Sequence, residues 1–386
     1  MGAFPEYSRE KFFFTTESYG GHYGPIFNEY IENQNAKNIP GTTKISLTGV
    51  MIGNGWYDPL IQFQACYNFT VNPGTTYDFQ FFNESIQNLM YNNLYAPGNC
   101  VDMIKDCYTR GLNEVCSAAD IFCANEVEFI YDVYSGRDEY DIRELMPDPF
   151  PPEFYVQYLN QEHVLQAIGA FVNYTESSNI VYNAFTTTGD DGRILTTVSD
   201  MKMLLDQNVS VTMYTGDADY ICNWYGGQVV SQEVGARNFE NAGYVNVTTS
   251  DCVVHGQVKQ AGKFSFLRIY ESGHEVPFYQ PVIALEMLER VLAGLDIATG
   301  TVEVGPEYIT IGTAESTYRE GNATMQLDVV STDATYNTTT GMPNSSNTTA
   351  LGNGAIKRRH SATRAHGKAR KGVSRFVQSH QYDKAH

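Results

Sequence analysis

The sequence predicts an α/β chain whose core is interrupted rather than repeated. Three observations carry this. Aromatic and β-branched runs at residues 11–15, 44–52, 209–215 and 264–270 have the length and composition of strands. Helical patterns alternate with them, the arrangement that places helices on a mostly parallel sheet. A long irregular stretch separates the first pair of strands from the second, and no internal repeat is present.

The first run, Lys11 to Thr15, reads as a buried strand. Pro25 followed by Ile26, Phe27, Tyr30 and Ile31 reads as a helix with proline at its first position, so Ser18 falls in a strand-to-helix turn. The second strand ends in Gly53-Asn54-Gly55, where glycines permit a tight exit from the sheet. Regular signals resume with a helix at 200–207, the strands at 209–215 and 264–270, and a closing helix at 281–295. The expected division is a partial core at 1–55 carrying the Ser18 turn, an insertion at 56–199, a second part of the core at 200–300, and a tail at 301–386. Within the tail, residues 331–350 are a Ser/Thr/Asn stretch resembling a glycosylated linker. Residues 351–386 are basic, and the expectation there is a disordered extension.

The 386 residues are 42% hydrophobic with 27 Tyr and 21 Phe, enough to bury one large core or two modest ones. A formal charge of −19 argues against a nucleic-acid partner, which would demand cations along its backbone. Of the seven cysteines, Cys100, Cys107, Cys116 and Cys123 cluster without the two-to-four-residue pairing usual at zinc, which favours nested disulfides and no metal. Asn-X-Ser/Thr sequons begin at Asn68, Asn83, Asn173, Asn208, Asn246, Asn322, Asn337, Asn344 and Asn347. Together with paired cysteines they point to the secretory pathway, extracellular or vacuolar. No signal peptide and no membrane span is legible in the sequence.

A serine hydroxyl becomes a nucleophile when an imidazole takes its proton, and the imidazole needs a carboxylate to fix its tautomer. Ser18, Asp219 and His274 occur in one of the chain orders such triads use, each just beyond a strand end. The turn around Ser18 departs from Gly-X-Ser-X-Gly, because Thr16 holds the first glycine position. Asp217 competes with Asp219, and both lie in a Gly-Asp-Ala-Asp turn.

Five segments together resemble the serine carboxypeptidase family, in its fungal, carboxypeptidase Y-like branch. They are Phe4-Pro5-Glu6-Tyr7, Glu17-Ser18-Tyr19-Gly20-Gly21-His22-Tyr23, Ile52-Gly53-Asn54-Gly55 with Asp58-Pro59, Gly216-Asp217-Ala218-Asp219 with Cys222-Asn223-Trp224, and Gly273-His274 with Val276-Pro277. The resemblance covers residues 4–295. It implies an α/β-hydrolase fold with a disulfide-bonded cap insertion, and hydrolysis of the C-terminal peptide bond of peptides and proteins through an acyl-enzyme, with no cofactor. It makes Ser18 the nucleophile, Asp219 rather than Asp217 the triad acid, His274 the base, and the Tyr19 N–H one donor of the oxyanion hole. It makes Glu17 the group that hydrogen-bonds the substrate carboxylate, which requires one of the two carboxyls to be protonated, so an acidic optimum is expected. It also implies Cys100–Cys123 and Cys107–Cys116 bridges and a free Cys222 beside the substrate pocket, leaving Cys66 and Cys252 unassigned.

Glu275 stands where several relatives carry an apolar residue facing the leaving amino acid, which suggests a shift toward basic leaving groups. The family's Asn-Gly-Gly-Pro-Gly loop, source of the second oxyanion donor, is not found in the sequence. The expectation is therefore an N-terminally incomplete version of an active exopeptidase, lacking the first strands of the sheet. Two other readings stand beside it. One is an acyltransferase on the same scaffold, and the other an inactive secreted glycoprotein.

Overall fold

A computed structural model describes residues 4–71, 77–148, 150–152, 154–193 and 196–328, together with the short pairing of Tyr336–Asn337 and Met342–Pro343. Asn344, Asn347 and the basic stretch 351–386 lie outside the described residues.

Six strands form one sheet: β1 (Lys11–Glu17), β2 (Ser46–Gly53), β3 (Ser210–Gly216), β4 (Val245–Thr248), β5 (Val254–Ala261) and β6 (Phe264–Ile269), in the order β1-β2-β3-β6-β5-β4. The first four in that order run parallel, and β5 and β4 join as an antiparallel extension. Among the described residues β1 is an edge strand and is only half-buried, which corrects the expectation of a buried strand there. Its three phenylalanines match a buried run in composition, but an edge strand is covered on fewer sides. β6 is buried along its whole length.

The helices are α1 (Gly20–Ala36), α2 (Pro59–Val71), α3 (Glu84–Tyr95), α4 (Cys100–Arg110), α5 (Asn113–Cys123), α6 (Ile130–Tyr134), α7 (Phe154–Leu159), α8 (Glu162–Ile168), α9 (Asn179–Thr188), α10 (Thr197–Asp206), α11 (Trp224–Glu233), α12 (Val276–Tyr279) and α13 (Pro281–Ala293). Side chains alternate across a sheet. Ile52 and Phe266 meet α1 and α11, where Gly24 and Gly227 leave room for them. Met51, Tyr214, Leu267 and Ile269 instead pack with Ile283 and Met287 of α13. The sheet is thus covered on both faces.

Two local expectations change. Helix α1 starts at Gly20, so Pro25 is inside it rather than at its first position. The stretch 56–199, irregular by sequence pattern, contains eight of the helices, α2 to α9. Many are short and carry polar residues at apolar-periodic positions, which hides the 3.6-residue period.

Two compact units result. One comprises Met1–Ser135, Glu139–Ile142 and Ala184–Thr324 and holds the sheet. The other comprises Gly136–Asp138, Arg143–Asn183 and Met325–His386. Within the second, Asn160 Oδ1 accepts the Tyr174 N–H at 2.9 Å and the Arg137 guanidinium donates to the Arg143 carbonyl at 3.1 Å.

Candidate active site

Because β1, β2, β3 and β6 are parallel, their C-terminal ends open on one edge of the sheet. Ser18 follows β1 directly, Asn54 follows β2, Asp219 lies three residues beyond β3, and His274 five beyond β6. Chemistry-bearing groups collect at this edge in open α/β sheets.

Ser18 adopts φ +60°, a left-handed conformation uncommon for a residue with a Cβ. The turn is held from both sides. The Ser18 N–H donates to the Gly53 carbonyl at 3.0 Å, and the Ser18 carbonyl accepts from Gly21 and Trp56 N–H groups, each at 2.9 Å. Thr16 at the first position of the motif is accommodated by Gly20, where an added Cβ would lie 1.8 Å from Thr16 Oγ1. The next residue, Tyr19, opens α1, and among the described residues its N–H has no backbone acceptor. That N–H belongs to the electropositive end of a 17-residue helix.

His274 is buried, with its N–H on the Tyr140 carbonyl at 2.8 Å and its ring edge-on to Tyr140. Its Nδ1 is 2.8 Å from Asp219 Oδ2. In the neutral ring the carboxylate acceptor keeps the proton on Nδ1 and leaves Nε2 as the base. Burial works against a charged ring, but Asp219, Glu275 and Glu17 together outweigh it and push the imidazole up to about 9. Ser18 and the imidazole share no hydrogen bond among the described residues.

The competition between Asp217 and Asp219 is decided by what each faces. Asp217 accepts the Tyr77 hydroxyl at 2.9 Å and pairs with Arg268 at 3.3 Å, and that guanidinium lies 4.1 Å over Trp224. Asp219 faces His274, Asn54 and the Cys222 N–H. Asn54 went unrecognised by sequence. It is fully buried at φ +41°, donates to Asp219 Oδ2 at 2.7 Å, and accepts the Gly216 N–H at 3.1 Å. Its signal was present in an asparagine between two glycines at a strand end.

Glu17 is half-buried, and burial raises its carboxyl to about 7, with Glu275 and Asp219 adding to the shift and His274 opposing it. Glu275, also half-buried, acts on both Glu17 and His274. Burial and the Asp219 charge keep the Cys222 thiol protonated. Ligand atoms of Asp219, Cys222 and His274 lie within 4.8 Å of one another. Two of these atoms already share a hydrogen bond and the third is a thiol, so they do not form a ready metal-ligand set.

Both bridges, Cys100–Cys123 and Cys107–Cys116, are formed and tie α4 to α5. Cys66 is buried and Cys252 exposed, and neither is bridged to the other.

Residues 1–294 match the family model described as serine carboxypeptidase. Carboxypeptidase S1 homolog B of Arthroderma otae is 40% identical over 312 residues, covering 75% of this chain and 47% of that protein. Carboxypeptidase S1 of Penicillium janthinellum is 37% identical over 297 residues, covering 75% of this chain and 68% of that one. The chain spans about half the length of the first curated relatives it matches. The crystal structure of a prohormone-processing carboxypeptidase from Saccharomyces cerevisiae aligns with a TM-score of 0.60 at 20% identity, over 81% of this chain and 67% of that one. That likeness is one of fold, the α/β-hydrolase fold. With the family model matched over most of its length, the chain belongs to the serine carboxypeptidase family.

Proposed function

We propose that the protein is a serine-type carboxypeptidase that removes the C-terminal residue of peptides and proteins. The observation that carries this reading is the buried Asp219–His274 pair at 2.8 Å, on the sheet edge where Ser18 emerges in a left-handed turn. Ser18 Oγ attacks the carbonyl carbon of the last peptide bond, and its proton passes to His274 Nε2. The oxyanion so formed takes the Tyr19 N–H. Collapse breaks the C–N bond, His274 returns the proton to the leaving amine, and an acyl-Ser18 ester remains. Water, deprotonated by His274, then attacks that ester and releases the shortened acid and free Ser18.

Glu17 supports a substrate with a free carboxylate over an ester acyl donor. A protonated Glu17 donates to the substrate's terminal carboxylate, and burial keeps it protonated up to about pH 7. Glu275, acting on the same pair of groups, favours a basic leaving residue. Cys222, beside Asp219, makes the site sensitive to mercurials.

Six described sequon asparagines, Asn68, Asn83, Asn173, Asn208, Asn246 and Asn322, are exposed. With two disulfides they support glycosylation in the secretory pathway and an extracellular or vacuolar destination. Among the described residues no helix is long and apolar enough to cross a membrane.

The test is release of the C-terminal amino acid from an N-blocked dipeptide by the wild type and Ser18→Ala. A loss of about 10⁴-fold or more supports the reading, and an unchanged rate refutes it.

A further inference from the structure

The chain leaves β6 through a loop whose neck is closed by a side chain from its far end. Gln280 Nε2 donates to the Glu271 carbonyl at 3.2 Å, a separation of 9 in sequence, and His274 lies on the loop so enclosed. Local sequence puts Gln280 at that neck. Pro281 lacks an N–H and disfavours a helical residue before it, so the chain breaks at Gln280 (φ −130°, ψ 64°) between α12 and α13. At the other side of the neck Glu271 adopts φ +50°, a left-handed conformation that a residue with a Cβ keeps only when its surroundings hold it. The next carbonyl, that of Ser272, accepts the N–H of Ala218, the residue before Asp219, at 2.8 Å. The neck thus adjoins both members of the Asp219–His274 pair.

The Gln280 amide is oriented from its other side. Its Oε1 lies 3.0 Å from His255 Nδ1, and His255 Nε2 lies 2.8 Å from Asp251 Oδ2. β5 carries the imidazole to this place, because the His255 carbonyl accepts the Tyr270 N–H at 2.8 Å and extends the β5–β6 ladder to the start of the loop. Asp251 is fixed in turn, its Oδ1 accepting the Thr249 hydroxyl at 2.6 Å and the Val253 N–H at 3.0 Å. On α13, Glu286 accepts the Ser250 N–H at 2.8 Å and pairs with Arg290 at 2.7 Å, which leaves Asp251 to His255. Only an amide with Nε2 toward Glu271 gives that carbonyl a donor, so Oε1 faces the ring. An amide oxygen and a carboxylate both accept, and the two bonds form together only when each ring nitrogen carries a proton. With a single proton held at Nε2 by the charged acceptor, Nδ1 and Oε1 would meet lone pair to lone pair. Turning the amide over would relieve that contact and set Oε1 against the Glu271 carbonyl.

We infer that Gln280, oriented by His255 and Asp251, is a positioning residue that closes the loop carrying His274 and holds the imidazole in its place against Asp219. It touches neither substrate nor the reacting atoms and acts through the Glu271 carbonyl. What His274 is positioned for rests on the carboxypeptidase reading; the fastening of the loop does not. The opposing account is that the Ser272 carbonyl on Ala218 and the His274 N–H on Tyr140 hold the loop by themselves, and that Gln280 adds only to stability.

The full chain carrying Gln280→Leu, Gln280→Glu, His255→Leu, or His255→Leu with Gln280→Leu separates these. Turnover of an N-blocked dipeptide is measured per Ser18 that takes up a fluorophosphonate at completion, so that misfolded chains do not count. Gln280→Leu is expected to lower kcat about tenfold or more with KM within about twofold of the wild type. Gln280→Glu should do no better, because a carboxylate keeps the bond to His255 but repels the Glu271 carbonyl. His255→Leu should lower kcat in the same sense, and the double variant should lose no more than Gln280→Leu, since both act through one hydrogen bond. Solvent exchange of the His274 Nδ1 proton, followed by NMR without substrate, should quicken about tenfold in Gln280→Leu. Unchanged kcat and exchange in Gln280→Leu, wild-type turnover in Gln280→Glu, or losses that multiply in the double variant overturns the inference. A wild type that hydrolyses no dipeptide while Gln280→Leu quickens the exchange sinks the carboxypeptidase reading and leaves the positioning role. Wild-type hydrolysis with kcat and exchange unmoved by Gln280→Leu does the reverse.

Discussion

Asn54 Nδ2 donates to Asp219 Oδ2 at 2.7 Å, the same oxygen that accepts from His274. The loop after β2 therefore holds two parts of the site at once. Gly53 accepts from the nucleophile's backbone N–H, and Asn54 orients the acid. A hydrogen bond to a buried charge contributes about 1.5 to 3 kcal/mol. Asn54→Leu is expected to lower kcat for a blocked dipeptide by about 10- to 100-fold with little change in KM. The acid limb of its pH profile should also move to higher pH, because Asp219 with one donor fewer holds the imidazolium more firmly. A merely structural loss would lower the active fraction without moving that limb.

Glu17 supplies a pH prediction whose sign is fixed. Its carboxyl is raised to about 7, so the protonated form that bonds a substrate carboxylate disappears as pH rises through that value. The ratio of peptide kcat/KM to that for an ester substrate without a free carboxylate, from which the titration of His274 cancels, should fall as pH rises through about 7. Glu17→Gln, which keeps a neutral donor at every pH, should remove the fall. A fall that persists in Glu17→Gln assigns it to another group.

Asp217 and Asp219 are two residues apart and should fail differently. Asp219→Asn is expected to lower kcat by about 10⁴ with little loss of stability, since an amide in that place holds the wrong tautomer. Asp217→Asn removes the carboxylate charge that the fully buried Arg268 guanidinium meets at 3.3 Å, and breaking such a pair costs about 3 to 5 kcal/mol. Its folded fraction should retain activity. Denaturant melts alongside turnover at low temperature check both, and a reversed pattern would reassign the acid.

The Cys107–Cys116 bridge closes a short loop, with a sequence separation of 9. Replacing both cysteines by serine is expected to cost about 2 to 3 kcal/mol, seen as a lowered melting temperature. It should also loosen the Asp190–Gly192 turn, whose glycines press on the Cys116 backbone. Hydrogen exchange at Gly189 and Gly192 would report that coupling.

Sequence alone exposed the strand ends, because Ser18, Asn54, Asp219 and His274 all follow apolar runs with turn residues behind them. It did not place β1 at an edge, since Phe12, Phe13 and Phe14 look alike wherever the strand lies. Nor did it find β4 and β5, where polar Asn246, His255, Gln257 and Lys259 interrupt the apolar pattern. The choice between Asp217 and Asp219 could not come from the residues themselves, because only the fold supplies Arg268 to one and His274 to the other. The approach of the Asp190–Gly192 turn to Asp120 was hidden for the same reason, since the two are about 70 residues apart in sequence and only the fold brings Gly192 against Asp120.

The central claim is that Ser18 is a nucleophile activated by His274 and Asp219. A fluorophosphonate tests it most directly, since the attacking oxygen displaces fluoride and keeps the phosphonyl group. Mass spectrometry of the labelled full chain should show a single adduct on the peptide containing Ser18, lost in Ser18→Ala and slowed by about 10³-fold or more in His274→Ala. Absence of an adduct at Ser18, or labelling that proceeds at the wild-type rate in His274→Ala, would contradict the account.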